Sequence, residues 1–219
     1  MWRLIVYPAI ASVLLVAILR WVDPPTSAFM LAAAVRGDAG GRIDFRWLDL
    51  EAMSPTLPLA LIAAEDQRFM QHRGFDTAAI RAAMEGNRAG GRVRGASTIT
   101  QQTAKNLFLW SGRSWIRKFL EAWFAAWMEV LWSKHRILEV YANVAEFGAG
   151  VYGAEAAARQ YLGKGADDLD AAGSARLAAV LPNPRRYSAA RPGAYVQSRT
   201  RWIQRQMRQM DARAAVPQP

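Results

Sequence analysis

The chain has 219 residues, of which 28 are Lys or Arg and 18 are Asp or Glu, and it contains no cysteine. Its 52% hydrophobic content is typical of a folded globular chain, with length for one large domain or two small ones. The lack of cysteine excludes a disulfide scaffold, an iron–sulfur protein, a cysteine nucleophile and a Cys-based zinc site. The net charge of +10 favours an anionic partner, namely nucleic acid, anionic lipid or a phosphorylated substrate.

The N-terminal segment is strongly apolar. The sixteen residues Leu4–Leu19 carry no charge and lie between Arg3 and Arg20. A helix of this length covers about 24 Å, and Trp2 and Trp21 extend it towards the ~30 Å hydrocarbon core of a bilayer. The two arginines can reach the headgroup region, and tryptophan is typical of the membrane interface.

We therefore predict a single N-terminal transmembrane helix in residues 1–22 and a folded domain in residues 23–219. Two alternatives stay open, a cleaved signal peptide and a helix buried in the domain core. The signal peptide is disfavoured because no small-x-small cleavage site follows the apolar run. The charges on the two sides of the run are balanced, so they do not fix its orientation.

The rest of the chain is expected to be mainly α-helical, because apolar residues recur with helical periodicity and capping residues precede several of the runs. Helices are predicted over residues 54–70, 77–85, 97–109, 114–132, 134–143, 155–161, 167–181 and 194–210. A loop rich in glycine and arginine is expected over residues 86–95, a second loop over 148–153, and a short hairpin over 40–47.

Glu65 is the first candidate for catalysis. On a continuous helix it would share one face with Phe69 and His72, beside Arg68. The apolar residues 57–64 precede it, so partial desolvation would raise its pKa into the range useful for proton transfer. The alternative is a solvated helix end at which Glu65 pairs with Arg68.

A polar stripe on the helix over residues 97–109 is the second candidate site. Four side chains with hydroxyl, amide or ammonium groups share this face: Thr98, Gln101, Gln102 and Lys105. Ile99, Thr103 and Leu107 lie on another side and are expected in the core. We interpret the stripe as a recognition surface, with a plain solvated helix face as the alternative.

The helix over residues 114–132 combines a tryptophan-rich face with a charged one. The apolar face consists of large side chains: Trp115, Ile116, Phe119, Leu120, Trp123, Trp127, Val130 and Leu131. We expect this face mainly in the core, with contact to a bilayer as the alternative. Glu121 lies roughly opposite, near Arg117 and Lys118, so it is expected to be ionised and to organise charge or bind a metal. A simple intrahelical salt bridge is the other interpretation.

Four short motifs follow one another along the helical region. Residues Glu65–Gly74 fit the pattern E-D-x-x-F-x-x-H-x-G, and Gly95–Gln102 fit G-x-S-T-I-T-Q-Q. Residues Arg117–Glu121 fit R-K-x-x-E, and Lys134–Asn143 fit K-x-x-I-L-E-x-Y-x-N. The motifs follow one another in order within residues 55–190 and resemble the signatures of the peptidoglycan glycosyltransferases, glycosyltransferase family 51. No region resembles a penicillin-binding transpeptidase domain, so the monofunctional members are the expected subgroup.

This resemblance implies a lysozyme-like, two-lobed α-helical domain, with a larger head lobe and a smaller, membrane-facing jaw lobe. It implies polymerisation of lipid II into β-1,4-linked glycan on the outer face of the cytoplasmic (inner) membrane, with undecaprenyl diphosphate as the leaving group. The implied partners are lipid II, the nascent glycan strand, the membrane through a single span, and other proteins of cell-wall synthesis. Nucleic acid is not expected as a partner.

The resemblance also implies roles for the matching residues. Glu65 is implied as the general base that takes the proton from the acceptor GlcNAc 4-hydroxyl, which then attacks C1 of the donor MurNAc with inversion. Four cations are implied to stabilise the diphosphate: Lys105, Arg113, Arg117 and Lys118. Four polar residues are implied to orient the headgroup: Thr98, Gln101, Gln102 and Asn106. Glu121 is implied to hold these cations or a divalent metal, Mg²⁺ or Mn²⁺.

Two functions from other classes stay open. A lytic transglycosylase or muramidase of the same fold would cleave glycan with Glu65 as an acid, but it would have no use for a diphosphate-binding set of cations. A non-catalytic, membrane-anchored glycan-binding protein would explain the charge and the tryptophans, but not two carboxylates in intact motifs. Arg199, on the last predicted helix, is expected on the surface and apart from the site.

Overall fold

The computed structural model describes residues 2–88, 97–112 and 114–218, and these residues are mainly α-helical, as predicted. The helices are α1 (Arg3–Ile18), α2 (Ala28–Arg36), α3 (Thr56–Glu65), α4 (Thr77–Arg88), α5 (Ile99–Phe108), α6 (Trp115–Leu131), α7 (Lys134–Val144), α8 (Ala154–Leu162), α9 (Ala171–Ala178), α10 (Ala194–Gln209) and α11 (Ala212–Ala215). Helices α5, α6, α7, α8 and α10 lie within one or two residues of their predicted bounds.

Three short strands form a small sheet beside the helices. They are β1 (Asp44–Phe45), β2 (Glu146–Gly148) and β3 (Val151–Tyr152), in the order β1-β3-β2. Strand β3 pairs in parallel with β1 and antiparallel with β2. The hairpin predicted over residues 40–47 is therefore wrong, because β1 finds its partner far along the chain. The loop predicted over residues 148–153 is only partly confirmed: residues 149–150 form a turn, whereas Gly148 lies in β2 and residues 151–152 form β3.

The core is built around α3, which is buried along most of its length and packs against α7, α9 and α10. Helix α7 is buried from Ile137 onward and packs against α5, which in turn packs against α6. The polar side of α5 therefore lies between the C-terminal end of α3 and the first half of α6. This packing brings residues that are far apart in sequence into one region.

Helix α3 ends at Glu65, five residues earlier than predicted. Asp66 leaves the helix with φ −159°, and its carboxylate accepts a hydrogen bond from the Ile99 backbone N–H at the start of α5 (3.0 Å). The side chain of Asp66 also contacts His72 Nε2 at 2.9 Å. These tertiary contacts end the helix where the local sequence favours its continuation, so the predicted shared face of Glu65, Phe69 and His72 does not exist.

Four further helical segments differ from the prediction: α9 is shorter at both ends than the predicted range 167–181, α11 was not predicted, and α2 and α4 differ as follows. Helix α2 was not predicted, although Ser27 caps its start by accepting from the Met30 N–H, and Gly37 ends it at φ 70°. Helix α4 extends to Arg88 and so occupies the beginning of the basic loop expected over residues 86–95. Residues 89–96, the rest of that loop, lie outside the described residues.

Helix α1 packs along α6 through two indole hydrogen bonds. Trp123 Nε1 donates to Ser12 Oγ at 3.1 Å, and Trp132 Nε1 donates to the Val16 carbonyl at 2.8 Å. Val16 is fully buried at this contact, whereas Tyr7 is 63% exposed on another side of the helix. Helix α1 is therefore neither a core helix nor detached from the domain.

The observed α1 has 16 residues and is shorter than the segment predicted as a transmembrane anchor, residues 1–22. Across the described parts of the chain, no helix combines the length and the apolar character needed to cross a membrane.

The tryptophan-rich face of α6 is mostly outside the core. Trp115 is 90% exposed, Phe119 68% and Val130 72%, while Trp123 and Trp127 are partly buried against α1 and the domain. The expectation that this face lies mainly in the core is therefore wrong for its outer residues. The opposite side of α6 carries the buried Glu121.

Candidate active site

Glu65 is held at the end of α3 by a chain of two hydrogen bonds. Gln102 Nε2, on α5, donates to Glu65 Oε2 at 2.9 Å, and the buried Tyr141 OH, on α7, donates to Gln102 Oε1 at 3.3 Å. Because Tyr141 occupies the carbonyl side of the amide, the amide N–H₂ is directed towards Glu65. Gln102, predicted to contact the substrate headgroup, is thus a direct partner of the carboxylate.

The pKa of Glu65 is raised above its ordinary value, chiefly because burial disfavours the charged carboxylate. The hydrogen bond from Gln102 and the positive charges of Arg199 and Lys105 act in the opposite direction. The residue as a whole is half-buried, so Glu65 lies at the edge of the core and not deep within it. The predicted alternative, a pair with Arg68, is not observed, since Arg68 contacts Asp76 instead (3.3 Å).

Lys105 lies within electrostatic reach of both candidate carboxylates. Burial is the main effect and lowers the pKa of its ammonium group. The positive charges of Arg117 and Lys118 also lower this pKa, whereas the negative charges of Glu121 and Glu65 raise it. Its Nζ lies 5.6 Å from the centre of the Phe29 ring. Lys105 therefore links the carboxylate on α3 to the charged start of α6.

A cavity of about 190 Å³ opens beside Lys105. Its lining includes Gln102, Asn106 and Tyr141 together with the loop around Pro182. The structure thus brings three residues of the predicted site, Gln102, Lys105 and Asn106, to one opening next to Glu65.

Glu121 is buried and engaged by both neighbouring cations. Arg117 Nη1 and Lys118 Nζ each lie 2.5 Å from one of its two oxygens. Arg117 Nε also donates to the Gly112 carbonyl, which fixes the turn before α6. The intrahelical salt bridge considered above is therefore present, and it holds two cations close to Lys105.

The predicted metal is not supported by a preformed ligand set at Glu121. Both Glu121 oxygens are taken by cations, and the described residues contain no group of three or more Asp, Glu or His side chains arranged to hold a metal ion. A divalent metal stays a prediction, and no step below depends on it.

Thr98 and Gln101 are placed differently from the prediction. They form a capping box at the start of α5, in which Thr98 accepts from the Gln101 N–H and Gln101 Oε1 accepts from the Thr98 N–H. Both are buried, and Thr98 Oγ1 also donates to the Gly74 carbonyl. Their side chains cap α5 in this structure, and their contact with the headgroup stays a prediction. Arg113 lies outside the described residues.

Arg199, expected on the surface, reaches the site from α10. Its Nη2 donates to the Ala64 carbonyl at 2.7 Å, and its guanidinium lies 4.3 Å from the Trp202 ring centre. The signal for this placement was the helical spacing of the buried Val196 and Ile203, which puts Arg199 on the side of α10 that faces the core.

The arrangement of charged groups at this site indicates a class of protein. A carboxylate with a raised pKa, an ammonium group of lowered pKa and a paired cation cluster are arranged in succession. Such a site suits an enzyme that couples removal of a proton to the departure of an anionic group.

Comparison with known proteins identifies the family. The sequence profile described as Transglycosylase matches residues 35–208. The chain therefore belongs to the transglycosylase family, as the four motifs indicated.

Similar proteins from three organisms carry the name biosynthetic peptidoglycan transglycosylase. The protein of Xanthomonas campestris pv. campestris (strain B100) is 60% identical over 206 residues, which are 92% of this chain and 84% of the relative. That of Xanthomonas oryzae pv. oryzae (strain KACC10331 / KXO85) is 57% identical over 215 residues, or 96% and 88% of the two chains. That of Xylella fastidiosa (strain M23) is 54% identical over 210 residues, or 94% and 86%.

Proposed function

We propose that the protein is a peptidoglycan glycosyltransferase that polymerises lipid II into β-1,4-linked glycan and releases undecaprenyl diphosphate. The observation that carries the proposal is that Lys105 lines one cavity with Gln102, the hydrogen-bond partner of Glu65, and lies within electrostatic reach of the cation cluster at Glu121. The name shared by the similar proteins, biosynthetic peptidoglycan transglycosylase, supports it.

In the proposed reaction the Glu65 carboxylate takes the proton of the acceptor 4-hydroxyl. The hydroxyl oxygen forms a bond to C1 of the donor sugar, with inversion, while the bond between C1 and the diphosphate oxygen breaks and its electron pair leaves with the diphosphate. Burial makes Glu65 a stronger base than a solvated carboxylate. Gln102 and Tyr141 fix the direction in which Glu65 accepts the proton.

The leaving diphosphate needs charge stabilisation rather than a proton. Lys105 is positioned to contact it, and the pair Arg117 and Lys118 adds positive charge beside it. Glu121 keeps these two cations in place, so they lose less freedom when the substrate binds. Arg113, which lies outside the described residues, stays a predicted contact of the diphosphate.

We further propose that residues 1–22 attach the protein to the inner membrane in a single pass, with the catalytic domain on its outer face. Helix α1 is apolar, Trp2 and Trp21 are exposed near its ends, and the exposed tryptophan-rich face of α6 lies alongside. A 16-residue helix covers about 24 Å, and the reach of Arg3 and Arg20 together with local thinning of the bilayer compensates for the short span. The lysozyme-like division into a head lobe and a membrane-facing jaw lobe is part of this proposal.

A topology reporter tests the membrane placement. A reporter that is active only in the periplasm, fused after Pro219, is expected to be active in the full chain and inactive when residues 1–22 are deleted. Activity of a cytoplasmic reporter at the same position would contradict the placement.

The function is tested by offering two substrates to the purified full-length protein. Lipid II in detergent is expected to yield glycan polymer and undecaprenyl diphosphate, and finished glycan is expected to stay intact. Fragments from finished glycan without polymer from lipid II would support the lytic alternative. No reaction with either substrate would leave the non-catalytic glycan-binding alternative.

A further inference from the structure

The walls of the cavity beside Lys105 come from separate parts of the chain. Helix α2 contributes Phe29, strand β2 contributes Glu146, and the segment after α9 contributes Pro182 and Pro184. Helix α5 carries the ammonium and amide groups of the site on another side. Because these walls are distant from one another in sequence, only tertiary contacts can fix the distances between them.

Arg185 joins three of these walls through two carboxylates. Its Nε donates to Glu146 Oε1 at 2.9 Å, and its Nη2 donates to Asp38 Oδ2 at 2.8 Å. Asp38 lies in the turn just after α2 and also accepts from Arg36 Nη2, in the last residue of that helix, at 3.1 Å. Arg185 itself directly follows Pro184 in the chain. One guanidinium therefore connects α2, β2 and the segment after α9.

The clasp, which consists of Arg185, Glu146 and Asp38, is suited to holding a fixed geometry. A guanidinium presents its N–H groups in a rigid planar fork, so it can bind two carboxylates in set directions. The side chains of Glu146 and Asp38 are only 12% and 20% exposed, which shields these hydrogen bonds more than those of an ion pair on an open surface.

The pKa values of the two carboxyl groups show that they share this cation. Burial raises the pKa of Glu146, and the charge and hydrogen bond of Arg185 act against this rise. Some desolvation also raises the pKa of Asp38, but the hydrogen bonds and charges of Arg185 and Arg36 outweigh it and lower this pKa. Removal of Arg185 would therefore leave both carboxylates without a close counter-charge that they have in this structure.

We propose that Arg185 is a positioning residue that holds the walls of the Lys105 cavity at the separation required by the lipid-linked substrate. The inference rests on the proposed function, since it takes this cavity to receive part of lipid II. Glu65 and Lys105 lie on α3 and α5, which the clasp does not join, so their placement should survive its loss. Loss of the clasp is therefore expected to weaken substrate binding rather than the chemical step.

A matched pair of variants tests the clasp. Arg185→Met removes both hydrogen bonds, whereas Arg186→Met removes the same charge from the neighbouring exposed position. With lipid II as substrate, we expect Arg185→Met to raise KM about ten-fold with little change in kcat, and Arg186→Met to change neither. A purely structural role predicts a lower Tm and a lower kcat from a smaller folded fraction, at unchanged KM. An unchanged KM in Arg185→Met would overturn the proposal.

Asp38→Asn distinguishes positioning from a direct contact between Arg185 and the substrate. Among the described residues that line the cavity, Asp38 is not included, so its change acts through the clasp. We expect Asp38→Asn to raise KM by a smaller factor, and the double variant with Arg185→Met to have the KM of Arg185→Met alone. If Arg185 bound the anionic substrate directly, Asp38→Asn would leave KM unchanged or lower it. That result, or additive effects in the double variant, would overturn the proposal.

Hydrogen exchange separates failure of the clasp from failure of the proposed function. Without substrate, the amides of α2 and of residues 181–187 are expected to exchange faster in Arg185→Met than in Arg186→Met. Equal exchange in the two variants would overturn the proposal even if the wild-type protein polymerises lipid II. If exchange differs as expected but the wild-type protein does not polymerise lipid II, the proposed function fails and the clasp still stands as the contact that holds these walls.

Discussion

The two candidate carboxylates differ in what surrounds them, and this difference assigns their tasks. Glu65 lies at a helix end, accepts a hydrogen bond from a neutral amide, and has its pKa raised by burial. Glu121 lies within a helix and binds one cation with each oxygen. A carboxylate with a raised pKa can accept a proton, whereas a carboxylate whose two oxygens are both ion-paired is suited to keeping the neighbouring cations in position. We therefore expect the same residue type to serve as a base in one position and as a positioning residue in the other.

The largest expected effect comes from removing the base. Glu65→Gln keeps the shape of the side chain but removes its proton affinity, so the polymerisation rate at saturating lipid II should fall by about 10²–10⁴-fold, with little change in Tm. Glu85→Gln, at an exposed position on α4, is the matched control and should be unaffected. A Glu65→Gln rate above about a tenth of the wild-type rate would contradict the assignment.

Glu121→Gln should reduce stability as well as activity. The amide leaves Arg117 and Lys118 without their counter-charge; Arg117 is largely buried, and an unsatisfied charged partner of this kind costs about 1–3 kcal/mol. We expect a lower Tm together with at least a ten-fold fall in kcat/KM, because the cations are no longer held. If Glu121→Gln behaved like Glu65→Gln, losing rate at unchanged Tm, the contrast between the two carboxylates would be wrong.

Lys105→Met should lower kcat/KM by ten-fold or more, with little change in Tm. A charge-assisted contact to a partly desolvated phosphate is worth roughly 1.5–3 kcal/mol, and Lys105 lines an open cavity rather than the core. Arg201→Met, at an exposed position on α10, is the appropriate control. Arg199 would be a poor one, because it contacts the residue before Glu65. A rate loss that merely follows a fall in Tm would remove the support for a diphosphate contact.

The smallest expected effect is a shift in pH dependence on Arg199→Met. The positive charge of Arg199 lowers the pKa of Glu65, so its removal should raise that pKa further. Because the carboxylate is the active form, the acidic limb of the kcat profile should move to higher pH, while the rate on the alkaline plateau changes little. Arg199→Lys keeps the charge and should restore most of the wild-type profile. An unshifted limb in Arg199→Met would show that the electrostatic contact does not act on the base.

The sequence predicted the elements whose signals are local. Ser114 and Ser133 each cap the helix that follows, and their hydroxyls accept from the N–H three residues ahead. Helix α2 carries the same kind of signal at Ser27 but was not predicted. Strand pairing between β1 and β3 could not be predicted, since nothing in a two-residue strand identifies a partner a hundred positions away.

The sequence indicated the candidate site residues, but only some of the contacts that their side chains make. The patterns identified both carboxylates and the cations, because unusual polar groups on helices bordered by apolar residues are visible in a sequence. They did not show that Asp66 leaves the helix to bind the start of α5, or that Gln102 faces Glu65. These contacts join separate helices, and they decide which polar side chains cap a helix and which reach the cavity.

The pKa of Glu65 in the wild-type protein tests the account most directly. Carbon NMR of protein labelled at the glutamate carboxyl carbons, with Glu65→Gln to assign the signal, gives this pKa, and the pH dependence of kcat on lipid II is measured alongside. We expect Glu65 to titrate above the ordinary glutamate range and the rate to be lost as pH falls through its pKa in the enzyme–substrate complex. A pKa of Glu65 at or below the ordinary value, or a rate that does not fall at low pH, would contradict the claim that burial makes this carboxylate the base.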